Sequence, residues 1–487
     1  MAHKLLLRPP PVVLALANLA LFNSGCQTAC PYGPQCEDDH SAGGLAIHEG
    51  EALQGQHEIW DDATVHLDGD ELLGTRWTAT GIAGDLLIGM PDADMVIRQR
   101  YDITDSTVNT SASWSIEGTD FGTSIGVGFV DDDSEWDLFV GAPTWELQRG
   151  AAYLYLGAAH TQKSEPDLKI TGASHTDLLG TNVAVCGDMT GDGRPELLVT
   201  APWFLQPQTG PLASENIAPL AGAVFIITSE KLGEALAANT SVVEPWELGP
   251  ALWGPEEGAR LGHAIVCSHD LSGDGLADLA IGAPFVGDSG EDEDQGATYV
   301  VLGTSKLENG AIEDVASIII PGRYRTDWAG MALAVIDVDG DELGDLAVGM
   351  PGFLNGRGRV TLYLGSDMAE SPLNPKHLLT LTPPRGTEEA IHFGRWLTSG
   401  DLDGDMLPEL VVGAPDFHSD RNYDEGRLWG FSATKREEWV EIRRADDHDT
   451  FRLEGSEPFQ RVGRMVQIVD LDHDGRGELL APIRTAP

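Results

Sequence analysis

Positive charge is scarce in this chain. Its 487 residues carry 30 Lys and Arg against 78 Asp and Glu, a formal net charge of −48. That argues against a nucleic-acid partner, because phosphate binding needs clustered basic side chains. Beyond the first two dozen residues no apolar run is long enough to cross a bilayer as a helix. The five cysteines include no CxxC pair and the histidines no HExxH, so a zinc site is not indicated. What is plentiful is Gly, at 58 residues, and Pro, at 28, as a turn-rich all-β fold requires. A hydrophobic fraction of 41% is normal for a folded domain and excludes wholesale disorder. The acidic excess would repel itself unless cations neutralised part of it.

The N-terminus reads as a targeting segment. Lys4 and Arg8 give a basic start, Val12 to Phe22 a short apolar stretch, and Ser24 and Gly25 the small residues of a cleavage site. Ser24-Gly25-Cys26 resembles the end of a bacterial lipobox, although Asn23 stands where leucine is usual. The expected organisation is a signal peptide over 1–25, a tether over 26–43 and one domain over 44–487. Cys26 is the expected lipidation point, with plain cleavage and secretion as the alternative. Cys30 and Cys36 could then close a small loop in an oxidising compartment. Cys186 and Cys267 occupy near-equivalent points of successive repeats, and a disulfide and two buried thiols are equally compatible with that.

Self-similarity organises the rest. An opening glycine recurs at Gly74, Gly122, Gly180, Gly262, Gly330, Gly394 and Gly463. A closing acid follows each, at Asp85, Asp137, Glu196, Asp278, Asp345, Glu409 and Glu478. The intervals are 11, 15, 16, 16, 15, 15 and 15, the first shortened by loss of its acidic loop. Six residues after the first six acids stands a proline: Pro91, Pro143, Pro202, Pro284, Pro351 and Pro415. Runs such as Gly222-Ala-Val-Phe-Ile-Ile227 and Gly358-Arg-Val-Thr-Leu-Tyr363 read as strands. Four short strands per unit predict an all-β fold, a seven-bladed β-propeller. The last unit has sequence for only two strands before Pro487, and Gly44–His48 and Ala63–Leu67 look like the two it needs. The N-terminus would thus complete the last blade and remove an exposed edge.

Between the first two strands of each unit lies an acidic loop. Asp337, Asp339, Asp341 and Asp345 fall at loop positions 1, 3, 5 and 9, as do Asp401, Asp403, Asp405 and Glu409, and Asp470, Asp472, Asp474 and Glu478. Alternate residues of a tight loop can point inward together, and a hard cation wants six to eight oxygens, so calcium fits better than magnesium. Two loops place a hydroxyl at position 3: Asp188, Thr190, Asp192 and Glu196, and Asp270, Ser272, Asp274 and Asp278. The second unit keeps Asp131, Asp133 and Asp137 but has Phe129 at position 1, and the first has no site. About five structural Ca2+ ions are expected. The competing reading is a set of acidic turns closed by their own Asx hydrogen bonds, with Gly193, Gly275 and Gly475 at positive φ.

The units resemble the FG-GAP repeat of the integrin α-subunit head. Phe121-Gly122 and Phe393-Gly394 match the first half of its name, and Gly141-Ala-Pro143, Gly282-Ala-Pro284 and Gly413-Ala-Pro415 the second. The resemblance implies a propeller whose ligands bind on the face opposite the cation loops. Aromatics following the GAP-like prolines mark that face here: Trp203, Phe204, Phe285, Phe353, Phe417 and Tyr423.

Two enzyme-like matches carry no weight. Gly122-Thr-Ser124-Ile-Gly126 fits G-x-S-x-G but lies on a strand without the strand–turn–helix setting. Gly287-Asp-Ser289-Gly290 sits in an acidic loop. The expected function is therefore an envelope-attached, calcium-stabilised module, not an enzyme, that binds a protein or glycan and no nucleic acid. A propeller hydrolase or lyase, or a passive envelope protein, are the rivals.

Overall fold

The computed structural model describes residues 43–49, 55–58, 65–67, 78–82 and 85–484, apart from 103–106, 159–162, 206–218, 288–292, 372–374, 388, 420–422, 433–438, 440–443, 446–448, 457 and 471–474. Cys26, Cys30 and Cys36 lie outside the described residues, as do Gly74, Asp472, Asp474 and the Ser289 motif.

The architecture is all-β and of the β-propeller class. Seven sheets follow one another along the chain, antiparallel except for short parallel strands on the outer edges of three of them. The fifth is representative: Ala332–Ile336, Asp345–Met350, Arg359–Tyr363 and His377–Leu381 pair in sequence order. The innermost strands touch their neighbours in a cycle, from Thr78–Ile82 through Ser124–Gly128, Val183–Val185, Ala264–His269, Ala332–Ile336, Trp396–Gly400 and Gln467–Val469 back to Thr78–Ile82. The last sheet is assembled from both ends of the chain. Glu478–Arg484 pairs antiparallel with Gly43–Glu49, which pairs with Val65–Leu67. These are the two N-terminal segments the sequence offered for that role.

The second strand of each unit is sandwiched between sheets, which explains its lack of polar alternation. In Asp345–Met350 every residue is buried. Leu346, Val348 and Met350 enter a core shared with the fourth sheet, while Ala347 enters a core shared with the sixth. Each described hydrophobic cluster similarly spans two adjacent sheets, so blade-to-blade packing is the core.

The signature glycines exist because of that packing. A Cβ on Gly282 would lie 1.9 Å from the carbonyl oxygen of Gly330 in the next sheet. The same approach recurs for Gly141 on Gly180 at 2.0 Å, Gly349 on Gly394 at 2.2 Å and Gly413 on Gly463 at 2.3 Å. Backbone meets backbone between blades, and only glycine leaves room.

Several sheets carry a strap on their outer edge, supplied by the sheet that follows. Val242–Val243 runs parallel to Leu168–Thr171, Gly310–Ala311 to Ala251–Trp253, and Gly55–Glu58 to Phe451–Glu454. Cys186 and Cys267 form a disulfide between the third and fourth sheets, their Cα atoms 5.0 Å apart. Among the described residues no helix is long and apolar enough to cross a membrane.

Candidate functional site

The acidic loops share one hydrogen-bonding scheme. The position-1 aspartate caps its own turn: Asp188 accepts from the amides of Gly191 at 2.6 Å and Gly193 at 2.8 Å. Asp270, Asp337 and Asp401 accept from the equivalent amides. The position-5 aspartate accepts from position 7, as Leu343 N–H donates to Asp341 and Leu407 N–H to Asp405, both at 2.9 Å. The closing acid reaches back to position 2: Met189, Leu271, Val338 and Leu402 donate to Glu196, Asp278, Asp345 and Glu409 at 2.7–2.8 Å. Where that acid is aspartate, its other oxygen accepts from a glycine after the third strand, Gly303 for Asp278 and Gly365 for Asp345, both at 2.8 Å. The Asx turns expected of a self-closed loop are thus present, and the closing acid ties loop to blade as well.

The same loops gather acid. Asp188, Asp192 and Glu196 place three carboxylate oxygens within 4.8 Å of one another, as do Asp337, Asp339 and Asp345, and Asp401, Asp403 and Glu409. Position-5 acids Asp341 and Asp405 fall outside those groups, as does the loop of Asp270, Ser272, Asp274 and Asp278. Thr190 Oγ1 donates to Glu196 at 2.9 Å. Asp470 accepts from Gly475 N–H at 3.2 Å, and its Oδ1 is buried with no hydrogen-bond partner among the described residues. An all-oxygen, anionic donor set with such a buried oxygen fits a hard divalent cation.

Without a cation the clusters strain their own acids. Burial, and behind it the neighbouring Asp339 and Asp341, pushes the Asp345 carboxyl up to about 7 against the pull of the Val338 and Gly365 amides. Burial likewise brings Glu409 to about 7 and Asp137 to about 6, and raises Glu196 and Asp278. Asp270 moves the other way: burial works upward, but the amides of Gly275, Gly273 and Ser272 outweigh it.

The first two units depart from this scheme. In the second, Phe129 is half exposed at position 1, yet Asp137 still accepts from Val130 N–H at 2.7 Å and Gly157 N–H at 2.8 Å. In the first, buried Asp85 pairs with Arg98 at 2.6 Å, so a guanidinium meets the closing acid where the other units use the position-2 amide.

The opposite face corrects part of the expected ligand surface. Phe204 is buried, edge-on to Phe225 with centroids 5.6 Å apart, because the core between the second and third sheets absorbs it. Phe417 is buried beneath Arg427, 3.7 Å from its ring centre, and against Trp429. Trp203, Phe285 and Phe353 are half-buried, and Tyr423 is exposed. Ser124 of the G-x-S-x-G match accepts from Val183 N–H at 3.0 Å, tying adjacent inner strands together.

Sequence reasoning missed the groups around these aromatics. Arg260 lies between Trp203 and Phe285, 4.8 and 4.7 Å from their ring centres. Phe285 meets His263 and Trp328 edge-on, and Trp328 stacks on His392 at 5.9 Å and 10°. His392 Nδ1 lies 2.5 Å from Asp416. Arg260, Trp328, His392 and Arg461 all stand two residues before an opening glycine, with φ between 52° and 56°. Since left-handed backbone in non-glycine residues is uncommon, that shared offset is a signal visible only once the repeats are aligned on their glycines.

The FG-GAP repeat family model matches residues 264–301, 329–363 and 393–431, the first three strands of the fourth, fifth and sixth sheets. The fold is thus a β-propeller that carries FG-GAP repeats over those residues and resembles the propeller of the integrin α-subunit. The chain is 31% identical to integrin alpha-IIb of Mus musculus over 234 residues, 47% of this chain and 20% of that protein. The figures for integrin alpha-IIb of Homo sapiens are 31% over 238 residues, 48% and 20%. Phosphatidylinositol-glycan-specific phospholipase D of Rattus norvegicus is 27% identical over 315 residues, 61% of this chain and 35% of that protein. The chain thus spans about a fifth of the length of the integrin relatives it matches.

Proposed function

We propose that this protein is an exported binding module, attached to the cell envelope through Cys26, whose propeller is stabilised by calcium and whose recognition surface lies opposite the calcium loops. The observation that carries the reading is the recurrence of one oxygen cluster, three carboxylates within 4.8 Å, at the same point of three different blades. Cations there neutralise acids that would otherwise repel one another inside the blade ends, and they leave the other face free for a protein or glycan partner. Calcium is favoured over magnesium by the flexible, many-oxygen loop. The role is binding rather than catalysis, in keeping with the integrin resemblance.

A glycan array probed with purified protein in Ca2+ and again in EGTA tests this. Wild type should retain a defined set of glycans in Ca2+, lose it in EGTA, and lose it on replacing Trp203 and Tyr423 by Ala. Retention unaffected by both changes would overturn the assignment of the face. One observation favours a second reading: the similarity to phosphatidylinositol-glycan-specific phospholipase D covers more of this chain than the integrin match does. Release of a phosphatidylinositol-glycan-anchored protein by the purified chain would establish that reading instead.

A further inference from the structure

Neighbouring acidic loops are bonded to one another across the sheets, and unevenly so. The carbonyl of Asp188, at position 1 of the third sheet's loop, accepts from Ala277 N–H at 2.8 Å. Ala277 stands immediately before Asp278, the closing acid of the fourth sheet's loop. Asp270 repeats the link one sheet on, its carbonyl accepting at 2.7 Å from the N–H of Gly344, the neighbour of Asp345. A side-chain contact runs beside each bond. A Cβ on Gly191, at position 4, would meet Leu276, at position 7 of the next loop, at 3.4 Å, and one on Gly273 would meet Leu343 at 3.3 Å. Both features stop at the fifth sheet. The residue before Glu409 is Pro408, which has no N–H to give Asp337, and a Cβ on Gly340 would meet nothing within 4 Å. The link resumes beyond, where Gly477 N–H donates to the Asp401 carbonyl at 2.6 Å. At the other end Pro195 precedes Glu196, so the third loop has no such amide to give the second, and an exposed ion pair, Arg194 to Asp132 at 2.5 Å, crosses there. Three loops thus form a bonded run bounded by two prolines.

Resting on the reading of these loops as calcium sites, we propose that the third, fourth and fifth loops take up divalent cations as one cooperative run, from which Pro408 insulates the sixth. Each bond joins the first ligand residue of one loop to the neighbour of the last ligand of the next. A cation that draws in the Asp188 carboxylate also fixes that residue's backbone, and through Ala277 the start of the strand that carries Asp278. The ordering cost at the shared bond falls on the first cation alone. The second therefore binds more tightly, and by linkage the benefit is mutual. Filling one loop also weakens the negative field that draws ions to the next, but salt screens that opposing effect and does not screen a bond across the seam. The fourth loop falls outside the gathered carboxylate groups and lies between two that are gathered, so it depends most on its neighbours.

The experiment is a calorimetric titration of Ca2+, at physiological salt, into the full chain stripped with EGTA. Wild type should show a steep class of about three ions, with a Hill coefficient above about 1. Asp339→Asn, at one end of the run, should lose its own ion and weaken two others about fivefold. Asp403→Asn, beyond the boundary, should leave the steep class as it was. Pro408→Ala restores an amide there and should draw the sixth loop's ion into the steep class. It alters no ligand side chain, so it decides the matter even where Asp339→Asn fails to fold. Independent sites in wild type, an Asp339→Asn that loses one ion and nothing more, an Asp403→Asn that flattens the steep class, or a Pro408→Ala without effect would overturn the proposal. No Ca2+ uptake at all would remove the calcium reading and this inference together, whereas full uptake by independent sites would remove the inference alone.

Discussion

The amide of Trp328 donates to the carbonyl of Asp294 at 3.2 Å, and both residues sit in the left-handed region, at φ 56° and 51°. The turn before one sheet's third strand is thereby hooked to the turn entering the next sheet. The same hook joins Arg260 to Leu220, His392 to Gly356 and Arg461 to Asp424. Replacing Asp294 by Val should destabilise the fold by about 1–2 kcal/mol, because a β-branched side chain resists that backbone, whereas Asp294→Gly should be near neutral. Urea denaturation of the two variants checks this, and equal losses would count against it.

Close approach between blades predicts a sharper effect. Gly282→Ala places a methyl 1.9 Å from the Gly330 carbonyl oxygen, and the sheets must separate to admit it. A loss of about 2–4 kcal/mol is expected. Gly340→Ala, where nothing lies within 4 Å but φ is 72°, should cost only about 1 kcal/mol. Denaturant midpoints of the pair separate steric from backbone effects.

Position 6 of the acidic loop is left-handed in five loops. It is glycine at Gly193, Gly275 and Gly475, with φ 85–87°, but Glu342 and Met406 at φ 69°. Met406 is 87% exposed and so loses no packing on removal. Met406→Gly should therefore raise stability by up to about 1 kcal/mol, the relief of strain exceeding the added chain entropy. A lowered melting temperature would show that the side chain does something unseen.

Cation binding and proton binding compete in the loops. In the cation-free fold Asp345 is raised from 3.8, and Glu409 from 4.5, to about 7. The cation-free fold thus holds protons more tightly than the unfolded chain, and gains stability as pH falls from about 7 toward 4. A bound cation must displace those protons, so its stabilisation is full above that window and fades within it. Melting in Ca2+ and in EGTA should differ clearly near pH 8 and converge near pH 5. A difference independent of pH, or none at pH 8, would argue against the loops as cation sites.

Much of this was legible because repetition multiplies weak signals. The interval from Gly330 to Asp345 means little alone, but six near-identical copies locate the inner strands and the loop between them. The N-terminal segments were legible through the last unit's missing partners. Phe204 and Phe417 misled because an aromatic after a turn can fold back into the inter-sheet core, and local sequence does not say which. Arg260, Trp328 and His392 were invisible because none is glycine, so nothing marked their left-handed backbone. Their cluster joins loops from several blades. Cys186 and Cys267 were undecided until the sheets brought their Cα atoms to 5.0 Å.

The outer straps overlap like roof tiles laid in one direction. Each described strap crosses from a later sheet onto the one before it, never the reverse. Peeling the molecule open is therefore a polar process. Loosening the third sheet's connection bares the rim of the second, while loosening the second leaves the third's own strap, Gly310–Ala311, in place. A chain built from near-equal units thereby acquires an order in which its parts come undone.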